Sequence, residues 1–245
     1  MITVSHNELV VLCAKAFNGL QRNCGEADMI ANMVADLEMV GLNGIEHFVN
    51  ALAFLQYESD NPITVTHPSA VQVTTDLHDG SILCHLPGLL DYSIEKLISQ
   101  EQVTLHITHC HNRWLAFGEL IKLAGKGLSV QAQWSNGRGS KQKHVVYILN
   151  AGCILPELYI SEKSTRDQHS LSIAISKKNI ALPNAGQETT HLSSAILKQA
   201  KQHAWQEGIT VNATDWKKIK QAAGAILVEN SEKSERGAGE VKSTI

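Results

Sequence analysis

Apolar positions near the start of the chain recur at helical spacing. Leu9, Val10, Leu12, Cys13, Ala16 and Phe17 form one stripe, preceded by Ser5 and Glu8 in a capping-box pattern and followed by Gly19 as a stop signal. A second helix reads from Glu26 to Val40, with Ile30, Met33, Val34, Leu37 and Val40 on one face and Gly41 where a C′ glycine belongs. A third reads from Ile45 to Leu55.

The texture changes at Asn61-Pro62, after which strand and helix patterns alternate. Ala70–Thr75 and Ser81–Cys84 read as strands about a turn at Asp79-Gly80, and Leu89–Ser99 as a helix. Val103, Leu105 and Ile107 alternate as a half-buried strand does. Leu115–Lys126 reads as helix ending at Gly127, and Leu128–Trp134 as strand. Val145–Leu149 is a continuous apolar run suited to a buried strand; Leu155–Ile160 and Leu171–Ile175 are further strands. Two amphipathic helices, His191–Glu207 and Thr214–Leu227, follow, with Thr214 as the expected N-cap of the second. The order helix, strand, helix, strand over 89–134 favours a partly parallel sheet.

The expected architecture is therefore α/β: N-terminal helices, a mixed, partly parallel sheet flanked by helices, and two C-terminal helices. Residues 1–228 are expected to form a single α/β domain, with 1–57 as a helical N-terminal layer and 63–228 as sheet and helices. The segment 229–245 is rich in Ser, Glu, Lys and Gly and is expected to be a flexible C-terminal tail.

Composition narrows the function classes. The 245-residue chain is 43% hydrophobic and 18% charged, enough for a sizeable core. A net charge of −3 supplies no strong positive field for nucleic acid or an anionic membrane. The opening MITVSHNEL does not read as a secretory signal, and no apolar run in the sequence approaches bilayer length, so no membrane span is expected. Cys13, Cys24, Cys84, Cys110 and Cys153 are odd in number and include no CxxC pair, which argues for reduced thiols and a cytoplasmic location.

The densest chemistry is His106–Trp114, at the end of a strand leading into a helix, where α/β sheets usually hold ligands. His109, His111 and Arg113 could bind a carboxylate or move protons; ordinary solvated loop residues are the alternative. A zinc site from His109, Cys110 or His111 matches no standard spacing. In Gly41–Phe48, Glu46 and His47 could transfer protons, but neighbours on a helix do not face each other, and a simple helix start explains them better. Ser135–Lys141 is glycine-rich and basic, and reads as a surface loop rather than a phosphate cradle. Trp114, Trp134, Trp205 and Trp216 are expected in or near the core.

Three segments in order resemble the type-2 malate/L-lactate dehydrogenase family. They are the helical run from Glu8 to Leu52, DGSILCHLPGLLDYSIEKL, and LHITHCHNRWLAFGELIKLAGKGLSV, together covering roughly the first 135 residues. The chain also resembles a proteobacterial family of unknown function, through its VSHNEL start, VGLNG turn and SEKSERGAG near the end. The dehydrogenase resemblance implies a non-Rossmann sheet, a homodimer, NADH or NADPH as cofactor, and a small carboxylate or cyclic imino acid as ligand. It carries over residue by residue only in part. Asn43-Gly44-Ile45 stands where a Ser-His-Gly motif is expected, with His47 two places late. His111-Asn112-Arg113 replaces His-Phe-Gly, and Phe48, Val49 and Asn50 stand where an arginine is expected. The resemblance thus implies His111 and His47 as catalytic residues, and Arg113, His109 and Asn43 as substrate-binding residues. Two functions fit: an oxidoreductase acting on 2-oxo or 2-hydroxy acids, or a non-catalytic accessory or ligand-sensing protein on a degenerate scaffold.

Overall fold

The computed structural model describes residues 1–22, 25–58, 62–137, 142–162, 169–183 and 189–225. Cys24, Asn61, positions 138–141 of the glycine-rich segment and the expected tail at 229–245 lie outside the described residues.

The capping box at the N-terminus forms as expected. Glu8 N–H donates to Ser5 Oγ (3.2 Å), and Ser5 N–H donates back to the Glu8 carboxylate (2.7 Å). This starts α1 (His6–Asn18), which packs on α2 (Ala27–Met39). The glycine at the start of α3 (Gly44–Leu55) allows α2 and α3 to touch: a Cβ there would lie 2.2 Å from Val34 O and 2.7 Å from Glu38 N. Leu9, Ile30, Val34, Leu37, Phe48 and Leu55, all fully or almost fully buried, knit the three helices together.

The sheet follows. Its strands are β2 (Thr64–Ser69), β3 (Gln72–Ser81), β4 (Gln102–His111), β5 (Ser129–Asn136), β6 (Lys143–Leu149), β7 (Glu157–Glu162), β8 (Leu171–Ser176) and β9 (Thr189–Leu192). They lie in the order β2-β3-β4-β8-β5-β6-β7-β9. Among the described residues only β3 and β4 pair in parallel, joined by α4 (Leu86–Lys96); every other described pair is antiparallel. The sheet is mixed, as expected. β4 and β5, joined through α5 (Phe117–Gly125), run the same way but are not neighbours, because β8 inserts between them antiparallel to both. Val103, Leu105, Ile107, Val130, Ala132, Ile173 and Ile175 form its buried face.

The chain ends on α6 (Ser194–Glu207), β10 (Ile209–Val211) and α7 (Ala213–Gly224). β10 pairs antiparallel with β1 (Ile2–Val4), Ile2 facing Val211, so the two ends of the described chain are clipped together. The described residues thus form seven α-helices, the mixed eight-stranded sheet and this two-stranded ribbon.

Several local expectations are corrected. Ser81 ends β3, and Ile82–Cys84 is a short 3-10 turn rather than a strand, because Ser81 Oγ accepts from Leu83 N–H and bends the chain. Asp79-Gly80 is not a hairpin turn: β3 runs through it with a register shift between Asp76 and Gly80, taken up by left-handed His78 (φ 51°) and Asp79 (φ 63°). Thr189–Leu192 is strand, so the helix expected from His191 begins at Ser194, with Ser193 Oγ accepting from Ile196 N–H. The cap of α7 is Asn212, which accepts from Thr214 N–H and Asp215 N–H, not Thr214. Trp134 and Trp216 are buried, but Trp205 is 60% exposed, stacked on His6 at the surface.

Candidate functional site

β4 ends at His111, and the backbone turns left-handed at Asn112 (φ 62°) before a 3-10 turn, Arg113–Ala116. Asparagine tolerates this conformation better than most residues, and here it is tied down: Ser81 Oγ donates to Asn112 Oδ1 at 2.7 Å. The turn places His111, Asn112, Arg113 and Trp114 opposite His47, Asn50 and Phe54 of α3, and beside Asn136 at the end of β5. Together these line a cavity of about 370 Å³. A second cavity of about 350 Å³ shares His47, Trp114 and Asn136, and adds Gly41, Asn43 and Lys143.

His47 and His111 therefore meet at one cavity. The His47 ring stacks against Trp114 at 5.9 Å, and Trp114 meets Trp134 edge-on at 5.2 Å. Burial pushes the His47 pKa down to about 4, so the ring is neutral at neutral pH. His111 packs between Phe54 (4.6 Å) and His169 (4.8 Å). Its pKa is lowered by burial first, then by His169 and Arg113, against a raising effect of Asp79, whose Oδ1 lies 3.8 Å from His111 Nε2.

Arg113 lines the same cavity but is 6% exposed. Its guanidinium donates to Cys110 O, to Ser135 O (2.8 Å) and to Asn136 Oδ1 (3.2 Å). Asn43 lines the second cavity; it is left-handed (φ 54°) and does not cap α3 with its side chain. Glu38 does that instead, accepting from Ile45 N–H at 2.8 Å. His109 is not among the residues lining either cavity. It sits on an exposed left-handed residue (φ 44°) and pairs with Asp76 at 2.8 Å. Glu46 is exposed and His47 half-buried, as expected for adjacent helix residues that do not face each other. Among the described residues, no group of three or more His, Cys, Asp and Glu is placed to hold a metal ion.

Asn50, Phe54, Asn112, Trp114 and Asn136 complete the walls, and none of them was assigned to a site from the sequence. Asn50 had a weak signal, standing where the resemblance leads one to expect an arginine. Asn136 lay in the glycine-rich segment read as a surface loop, and its place beside Arg113 depends on a contact between residues far apart in the chain.

The chain has the fold of malate/lactate-type dehydrogenases. A dehydrogenase from Sinorhizobium meliloti superposes with a TM-score of 0.66 at 9% identity, covering 91% of this chain and 99% of that chain. Delta1-piperideine-2-carboxylate reductase from Pseudomonas syringae pvar. tomato gives a TM-score of 0.64 at 14% identity, covering 91% and 100%. Malate dehydrogenase from Pyrococcus horikoshii OT3 gives 0.66 at 9%, covering 94% and 97%. At such identities the likeness is one of fold. Residues 4–87 match the model of a family described as a protein of unknown function (DUF3726). No curated protein matches the sequence.

Proposed function

We propose that this chain binds a small 2-oxo or 2-hydroxy acid, or a cyclic imino acid, in the cavity between α3 and the end of β4, and acts on it as an NAD(P)H-dependent oxidoreductase. The observation that carries this reading is that His47 and His111 open on the same small cavity. Both rings are held toward their neutral form, so either can accept a proton at neutral pH, as oxidation of a 2-hydroxy acid requires. Arg113 lies in the wall and biases the cavity toward an anion. Asn43 lines the adjoining cavity, and His109 is not among the residues lining either one.

The adjoining cavity supports a place for a nicotinamide ring. At about 350 Å³ it has room for such a ring, it shares His47, Trp114 and Asn136 with the first, and Lys143 adds a cation. Bound there, NADH or NADPH would supply a hydride to a ligand in the first cavity; His47, common to both, would hold or move the proton. The sheet, with a single parallel pair and no doubly wound order among the described residues, supports a non-Rossmann cofactor mode. We extend the proposal to one continuous domain over 1–228, a cytoplasmic location and a homodimer. The described hydrophobic cluster, which runs from Val4 to Ile219, supports the first. Among the described residues no helix is long and apolar enough to cross a membrane. A monomeric mass in light scattering would remove the dimer.

A second reading is favoured by one observation. The described hydrogen bonds of Arg113 go to the protein's own oxygens, two of them main-chain, as in a structural arginine. A protein that binds the acid without reducing it would look the same. Titrating NADH and NADPH while following tryptophan fluorescence separates the two, since Trp114 lies in both cavities. Saturable quenching by either cofactor is expected for the oxidoreductase; no binding of either leaves only the ligand-binding reading.

A further inference from the structure

Asn136 is the last residue of β5 and lines both cavities. Its side-chain amide is oriented unambiguously, because Arg113 can only donate: the atom 3.2 Å from the guanidinium must be the carbonyl oxygen, Oδ1. That leaves Nδ2 as a fixed donor. It is buried and has no hydrogen-bond partner among the described residues. A buried donor without a partner is costly in a folded protein and uncommon.

We propose that Asn136 is a ligand-binding residue, its Nδ2 donating to an oxygen acceptor of the bound small molecule, and that Arg113 is a positioning residue that acts through Asn136. This inference rests on the acid-binding reading above for the identity of the cavity, but it names its own contact and chemistry. The acceptor is a carboxylate or carbonyl oxygen. Arg113 serves it twice: its hydrogen bond fixes which face of the carboxamide is turned to the ligand, and its charge polarises the amide so that Nδ2 becomes a stronger donor. Asn136 does the same for the adjoining cavity, since it stands on the wall the two share. The contact also explains why a deeply buried arginine, hydrogen-bonded to protein oxygens, stands in the wall of this cavity.

The test uses two probes on the full chain, pyruvate as the 2-oxo acid and 2-pyrrolidinone as an uncharged ring carbonyl. Binding is read by Trp fluorescence and by the Asn136 side-chain amide signal in nitrogen-15 NMR, identified as the signal missing from Asn136→Asp. That variant keeps an acceptor for Arg113 and removes the donor. A shift of the Asn136 signal by pyruvate, with binding at least tenfold weaker in both Asn136→Asp and Asn136→Ala, supports the proposal. A shift by 2-pyrrolidinone alone also supports it, and removes the acid-binding reading. Pyruvate binding that leaves the Asn136 signal unmoved and both variants unimpaired overturns the proposal while the acid-binding reading stands. If neither probe binds, both fall. The positioning role of Arg113 has its own readout. Arg113→Lys weakens pyruvate binding in the wild-type background and has no further effect on it in Asn136→Ala. Equal losses in the two backgrounds would show that Arg113 acts independently of Asn136.

Discussion

His47 in the first turn of α3 and His111 at the last position of β4 line one cavity, with Trp114 stacked on the first and Phe54 packed on the second. The protein thereby brings two imidazoles together in an environment that favours their neutral forms.

That environment makes folding stability depend on pH. The His47 pKa falls from an ordinary 6.5 to about 4 on folding. Between these values the unfolded chain binds more protons than the folded one, so stability falls as pH drops. From pH 7 to pH 5 the loss from this group is about 2 kcal/mol. Denaturant midpoints across that range should show it, and His47→Phe, which keeps a ring against Trp114, should flatten the slope. His111 shifts in the same direction, so some slope survives. An unchanged slope in His47→Phe would contradict the assignment.

Proton transfer makes a kinetic prediction. If His47 or His111 carries the proton, His47→Gln or His111→Gln lowers kcat by about 100-fold or more in NADPH oxidation with a 2-oxo acid. Substrate affinity measured by equilibrium titration should change much less. Variants that lose affinity and turnover equally would mark the imidazoles as binding groups only.

Gly44 is the point of closest approach between α2 and α3. A methyl group there meets main-chain atoms of Val34 and Glu38, which cannot swing aside. Gly44→Ala should cost about 3 kcal/mol, read from chemical denaturation. It should also loosen the neighbouring cavity walls at Asn43 and His47. A near-neutral effect would mean the two helices are not held this closely.

Glu58 links three parts of the site's support. It pairs with Arg22 (3.7 Å) with both side chains buried, and it accepts from Ser81 N–H at 2.9 Å; Ser81 in turn holds Asn112. Glu58→Ala strands a buried guanidinium and should cost about 3 kcal/mol. Glu58→Gln keeps the acceptor for Ser81 and should cost less. The difference in thermal midpoint between the two variants checks this.

The helices and most strands were legible because their signals are local. Ser5 and Glu8 cap α1 within one turn, and the alternation of Val103, Leu105 and Ile107 marks β4 without reference to any partner. The segment around His111 was legible for the same reason, as chemistry concentrated at a strand end. Where local signals misled, a neighbouring polar atom redirected the chain: Ser81 Oγ bent a strand into a turn, and Asn212 took the cap from Thr214. Trp205 was expected inside because size alone argues for burial, yet it lies on a helix with a single buried residue, Leu197.

By itself the sequence determined the α/β class and most of the succession of helices and strands, and it singled out the two histidines and the arginine that line one cavity, because periodicity, caps and residue chemistry act over a few residues. Only the tertiary structure decided that β8 inserts between β4 and β5, that β10 returns to β1, and that Asn136 reaches Arg113. Strand pairing and cavity walls join residues far apart in the chain. Which of many possible partners they meet is settled by the burial of the whole apolar face at once, a quantity no local pattern carries.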